Sequence, residues 1–325
     1  LGMMGWAVWS HHMFTVGLGP ITNSVFTITT MLIAVPTGVK IFNWIGTLWG
    51  GSIDLKTPML FALGFIALFI IGGLSGVSHA VSPSDFQQQD TYYIVAHLHY
   101  VLFGGSIFGL FSGIYYWFPK ITGRMVNETW GKINFWLLFI GMNVTFFPMH
   151  MLGLNGMPRR IYTYAEEFGW GDMNMIASLG YIVIFLGMLA FVVAMLKSLR
   201  GERAGHDPWD APGLEWSISS PPPAYNFAEI PQVDGLDQYW IVKARAKAAG
   251  QGDVPAEAPV DPSTIHMPSP SYWPIWIAAG TTLIAGGIVS HFALSFVGGI
   301  FAVIGIIGWS NEPPAAPDPH HGSQH

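Results

Sequence analysis

Cysteine is absent from all 325 residues. That excludes disulfides, iron–sulfur clusters, thiolate copper sites and the C-x-x-C-H attachment of c-type heme. Any heme must therefore be held non-covalently, through one of the 12 histidines. Charge is also scarce. Only 10% of the residues are Asp, Glu, Lys or Arg, against roughly 25% in soluble domains. The net charge is −6 and there is no polybasic run, so nucleic acid is not an expected partner. No signal peptide with a cleavage site is visible. The chain starts at Leu1 inside an apolar stretch with no initiator Met, and an N-terminally incomplete sequence is expected. Apolar residues make up 51% of the chain and fall in long runs. Most of the chain reads as one transmembrane domain.

A membrane-spanning helix needs about 20 mostly apolar residues. Such runs occupy roughly 24–49, 57–78, 92–118, 133–153, 174–196, 272–290 and 292–309, with a truncated one from 1 to about 10. The connections up to 197 are short, so successive helices should be antiparallel neighbours. The many glycines suit close helix packing in lipid. The organisation expected is a transmembrane core over 1–197, an irregular extramembrane segment over 198–271 with a short helix near 237–248, a helical hairpin over 272–310 and a disordered tail over 311–325. If the span 24–49 runs from outside to inside, Lys56, Lys120, Arg124, Lys132, Lys197, Arg200, Arg203, Lys243, Arg245 and Lys247 all lie inside, as the positive-inside rule requires. Arg159, Arg160 and the intramembrane Lys40 are the exceptions.

The stretch DTYYIVAHLHY, residues 90–100, carries His97 and His99 inside an apolar run. Two residues apart on a helix means about 200°. The two imidazoles therefore point to opposite sides and could each serve a different cofactor, with the helix as a wall between them. Imidazole is a common axial ligand of heme iron, and intramembrane histidine is costly and usually functional. The plain alternative is two histidines hydrogen-bonded to neighbouring helices. A second cluster is His11–His12 in WSHHMFTVG. At a frayed helix end both rings could face one metal, and imidazole suits copper, iron or zinc. A third ligand must then come from elsewhere. An interfacial pair meeting headgroups is the alternative.

Lys40, in IAVPTGVK, lies nine residues from Trp49, about 13 Å along a helix. Thr30, Thr37 and Lys40 share one helix face by spacing, and Pro36 should bend that helix. A polar stripe beside a deep lysine suggests a proton path; a lysine buried against a carbonyl is the bland reading. Arg159 and Arg160 follow a span directly, and guanidinium groups grip carboxylates. Asp85 and Asp90 lie on the same outer side and could accept hydrogen bonds or bind a hard cation. His150 reads as structural. His320, His321 and His325 sit in the tail, and Tyr115, Tyr116, Trp117 and Phe118 read as interfacial belt and core.

WSHHMFTVG, IAVPTGVK, DTYYIVAHLHYVLFGG and FFPMHMLGLNGMPRRIYTY occur in that order. Over residues 1–230 the chain resembles the catalytic subunit I of heme–copper cytochrome c oxidases. The resemblance implies an all-α, polytopic transmembrane helix bundle of the heme–copper oxidase type. It implies that His11 and His12 are ligands of the active-site copper, that His97 is the axial ligand of the high-spin heme, and that His99 is one axial ligand of the low-spin heme. Lys40 and Thr37 would belong to a proton channel. Arg159, Arg160 and Asp85 would hold heme propionates, and Asp90 would join a magnesium site. Gln89 stands where the family usually has His, and GPITNS replaces an acidic stretch common in close relatives. The family's third copper histidine, its cross-linked tyrosine, the second low-spin heme ligand and the acidic proton channel lie upstream of Leu1. The hairpin falls outside the core family pattern and would be a fused accessory element.

The activity so implied is reduction of dioxygen to water at a heme–copper centre, with electrons from cytochrome c and coupled proton pumping. The implied cofactors are high-spin and low-spin heme of a type and copper, with magnesium. The implied partners are a subunit II carrying a dicopper centre, subunit III and small subunits, cytochrome c and lipid, in an energy-transducing membrane such as the bacterial plasma membrane. A quinol oxidase of the same superfamily is the nearest alternative. A non-redox, proton-coupled transporter is the alternative from another class.

Overall fold

In a computed structural model of the chain, the described residues are 1–258, 260–261, 265 and 270–312. The expected disordered tail lies almost wholly outside them. The chain forms two compact units, Leu1–Pro221 and Pro222–His325. The first unit contains α1 (Gly2–Gly5), a 3-10 turn (Trp9–Met13), α2 (Pro20–Leu32), α3 (Ala34–Leu48), α4 (Thr57–Ala80), α5 (Ser82–Gln88), α6 (Tyr92–Val101), a π-helical stretch (Leu102–Ile107), α7 (Phe108–Thr122), α8 (Glu128–Leu154) and α9 (Gly171–Ser198). Among the described residues, six helices are long and apolar enough to cross a membrane, counting α2–α3 as one and α6–α7 as one. The protein is a multi-pass membrane protein with an all-α fold.

The helix ends follow local chemistry. Thr91 caps α6 by accepting from the Tyr93 backbone N–H at 3.2 Å, and Asn127 caps α8 by accepting from Trp130 N–H at 3.1 Å. Gly123 ends α7 in the left-handed region at φ 68°, where glycine carries no Cβ penalty. Glu128, in the first turn of α8, accepts from both the backbone N and Oγ1 of Thr57 at 3.0 and 2.9 Å. That bond ties the start of α4 to the start of α8.

The core lies among α4, α6, α7, α8 and α9. Phe61 and Tyr115 stack at 5.5 Å, and Phe61 meets Phe135 edge-on at 5.3 Å. All three are buried. Small residues set the close approaches. A Cβ on Gly141 would stand 2.8 Å from Ile184 N, so α8 and α9 touch backbone to backbone there. A Cβ on Gly104 would stand 2.6 Å from Leu68 Cβ. The π-helical stretch thus lies directly on α4, one turn beyond the two-histidine segment. Single π-helical turns often mark functional sites.

Three differences from the sequence reading have physical causes. The span expected over 24–49 is one crossing, Pro20–Leu48, whose helix is interrupted at Ile33. Pro36 has no N–H for the Leu32 carbonyl four residues back, so the helical ladder fails at that point. The truncated span over 1–10 is a four-residue helix and a 3-10 turn; so short a stretch cannot repay helix nucleation. The first unit also runs to Pro221, beyond the boundary that composition placed at 197. Buried Lys120 donates to the carbonyls of Ile218 and Ser219 at 2.9 and 3.1 Å. Trp209 Nε1 donates to Tyr116 O at 2.8 Å, and Arg124 Nη1 to Gly201 O at 2.9 Å. These bonds fasten 198–221 to the ends of α7 and α9.

The second unit contains α10 (Gln238–Ala248), within the expected 237–248, and the hairpin of α11 (Trp273–Val289) and α12 (Phe292–Ser310). The hairpin helices pack through Gly280 and Gly298, each of which has backbone of the other helix where a Cβ would stand. At 17 residues α11 falls about 5 Å short of a hydrocarbon core of about 30 Å.

Candidate cofactor site

One cavity of about 720 Å³ gathers most of the chemistry. That is within the usual range for ligand sites, about 300–1,000 Å³. His11, His12 and His97 line it, together with Thr30, Thr37, Asp85, Gln89, Asp90 and Arg159. Residues as far apart in sequence as His11, His97 and Arg159 thus face one space, brought there by the 3-10 turn, α2–α3, α4–α5 and α6.

His97 is held from behind. Its Nδ1 lies 2.9 Å from the Gly72 carbonyl and 3.0 Å from Ser75 Oγ. Nδ1–H donation to that carbonyl leaves Nε2 with its lone pair, the form a metal needs. A Cβ on Gly76 would stand 2.9 Å from His97 Cε1, so only glycine lets the ring lie on α4. The His99 Nδ1–H donates to the Val95 carbonyl at 2.7 Å, and its ring stacks on Phe146 of α8 at 4.0 Å and 14°. The two histidines therefore face opposite flanks, His97 toward α4 and the cavity, His99 toward α8.

The His11 and His12 ring centroids are 4.3 Å apart, and His11 Nδ1 lies 3.2 Å from Thr30 Oγ1. Burial, reinforced by the neighbouring His12, pushes the His11 pKa down to about 4. Burial also lowers that of His12. Both are neutral imidazoles at pH 7, the ligating form. Among the described residues no group of three or more His, Asp or Glu stands ready to enclose a metal; these two are a pair.

The remaining candidates divide. Thr37 lines the cavity but spends its hydroxyl on the Ile33 carbonyl at 2.8 Å. Lys40 is not on the cavity wall. It is exposed, with Nζ 5.6 Å from the Trp44 ring, whereas Thr30 and Thr37 both line the cavity. Asp90 takes both arginines: Arg159 Nε donates to Oδ1 at 2.8 Å and Arg160 Nη1 at 3.3 Å. Asp85 is buried in α5, with Oδ1 3.1 Å from His79 Nδ1. His79 also lines the cavity. Sequence reading missed it, although a histidine six residues ahead of an aspartate, across the Val81–Pro83 corner, was the available signal. His150 is buried between Tyr93 and Tyr100, and its Nδ1–H donates to the Phe147 carbonyl of its own helix at 3.3 Å.

The cavity is apolar along Ile33, Ile41, Ile45 and Phe69 and polar at the end bearing Asp85, Gln89 and Arg159. Gly38 and Gly73 line it with no atom within 4 Å of where a Cβ would stand, so side chains there would enter the space. Such a cradle, with a neutral imidazole on its wall, fits a flat, largely apolar cofactor with a charged edge.

Residues 1–199 match the family described as "Cytochrome C and Quinol oxidase polypeptide I". The chain belongs to that family. It is 48% identical over 293 residues, 90% of this chain, to cytochrome c oxidase subunit 1 of Bacillus sp. (strain PS3), and 54% identical over 232 residues, 71% of this chain, to the protein of that name from Synechocystis sp.. These matches cover 47% and 42% of the two relatives, so the chain spans about half the length of the curated relatives it matches. A cryo-EM structure of a heme-copper terminal oxidase dimer shares the fold, with a TM-score of 0.54 and 18% identity over 62% of this chain and 41% of that one.

Proposed function

We propose that this chain is the catalytic subunit I of a terminal respiratory oxidase that reduces dioxygen to water with electrons from cytochrome c, coupled to proton pumping. The observation that carries the reading is the opposed pair on α6. His97 is fixed by the Gly72 carbonyl and borders a cavity shared with His11 and His12, while His99 faces the other flank.

The residues divide the work as follows. His97 would hold a high-spin heme and His99 a low-spin heme, with His11 and His12 on copper. Heme and copper, when bound, supply the electrons and the open coordination position for dioxygen. Gly72 and Ser75 orient the His97 ring, since outer partners of a ligating imidazole fix its tautomer and basicity. Thr30 holds His11. α6, a single helix wide, would stand between the groups held by His97 and His99. The Asp90–Arg159–Arg160 cluster closes the polar end of the cavity and would meet heme propionates, with Gln89 and Asp90 beside a magnesium ion. Lys40 and Thr37 would bring protons from the inner side. A subunit II with a dicopper centre, subunit III and small subunits would complete the complex in a bacterial plasma membrane.

A quinol-oxidising relative is separated by the donor. Metal analysis and a reduced-minus-oxidised spectrum of the purified complex should give two hemes and copper, and oxygen uptake should follow reduced cytochrome c rather than quinol. A spectrum without heme bands refutes the oxidase; uptake with quinol alone refutes the cytochrome c reading.

A further inference from the structure

Four buried side-chain polar atoms among the described residues have no hydrogen-bond partner: Asn23 Oδ1, His79 Nε2, Glu128 Oε1 and Thr145 Oγ1. His79 is the one of these four residues that lines the cavity. A buried polar atom left unpaired is destabilising, so it marks a place where a partner belongs. His79 is also built in. It is 9% exposed at the end of α4. Its Nδ1 lies 3.1 Å from Asp85 Oδ1, and its ring meets Tyr93 and His97 edge-on at 5.1 and 5.0 Å. The ring cannot swing away, and Asp85 fixes which nitrogen is spent.

We propose that His79 is a further cofactor-binding residue, whose Nε2 forms a hydrogen bond with a carboxyl oxygen of the group in the cavity. This rests on the heme reading of the cavity given above. Asp85 holds Nδ1, so Nε2 is the ring nitrogen left for a carboxyl oxygen of the bound group. The guanidinium groups at that end are already committed in part, since Arg159 Nε and Arg160 Nη1 both bond Asp90. The ligand class is therefore a carboxyl-bearing planar cofactor. The groups facing His79 are Asp85 from α5, Tyr93 and His97 from α6, and, across the cavity end, His12 and Arg159.

The test uses the intact complex with His79→Leu, which removes the donor, and His79→Gln, which keeps an amide N–H. Heme is first counted in the wild type. A wild-type complex without heme overturns the oxidase reading itself and this proposal with it. With heme present, redox-difference infrared spectra with isotopically labelled heme carboxyls, and a redox titration of the cavity heme, are compared. His79→Leu should shift the heme carboxyl bands and lower the midpoint potential, because a less screened carboxylate favours the ferric state. His79→Gln should restore both toward wild type. Wild-type bands and potential in His79→Leu would overturn the proposal, as would a glutamine variant that behaves like leucine. An unchanged heme carboxyl band with a shifted potential would assign His79 to orienting His97 instead and would equally overturn it.

Discussion

His97 and His99 differ in what they touch, and that difference makes their substitutions separable. His97→Ala should abolish the high-spin heme signal and carbon monoxide binding while low-spin absorption persists; a carbon monoxide difference spectrum reads the outcome. Lys40→Met should slow turnover about a hundredfold, the lower end for loss of a positioned proton-transfer group, with oxygen uptake as the measure. The exposed position of Lys40 beside Trp44 makes this a sharp test, since a merely surface lysine would leave turnover unchanged. Arg159→Ala removes a partly exposed ion pair with Asp90, worth under about 1 kcal/mol. Thermal stability should hold while the heme potentials move in a redox titration. These residue types were legible in the sequence because histidine, lysine and arginine are expensive inside or beside lipid. His79 was not, because a histidine six residues before an aspartate does not by itself say that the α4–α5 corner folds Asp85 back onto it.

The helices owe their positions to small residues and breaks. Gly141 lies where α8 and α9 meet backbone to backbone, and a large side chain there has nowhere to go. Gly141→Leu should cost roughly 1–3 kcal/mol or more through overpacking, seen as a lower midpoint in a thermal scan of the heme absorption. Pro36 acts at a distance of one turn, breaking the helix at Ile33, between Thr30 on α2 and the Thr37–Lys40 turn of α3. The length of the apolar runs gave the five spans between 57 and 309 other than α11, the largest boundary error being the start of α8, expected at 133 and found at Glu128, since length and apolarity alone decide whether a helix can cross lipid. It merged α2 with α3, because an apolar run reads the same on either side of a break.

For the first compact unit as a whole, the segment 198–221 is part of the fold rather than a tether. Lys120→Met would leave the carbonyls of Ile218 and Ser219 without their donor. Limited proteolysis should then cut within 198–221 faster than in wild type, while the heme spectrum stays unchanged. Composition alone determined that this protein is a helical membrane bundle without thiol chemistry, and the helical repeat alone determined that His97 and His99 face apart. Those properties are local: each depends on residue type and on spacing along one helix. The tertiary structure decided which histidines share a cavity, that Asp90 is spent on two arginines, and that Asp85 leans on His79. Those are contacts between residues far apart in the chain, set by how closely glycine lets the helices approach, and no spacing along the sequence encodes them.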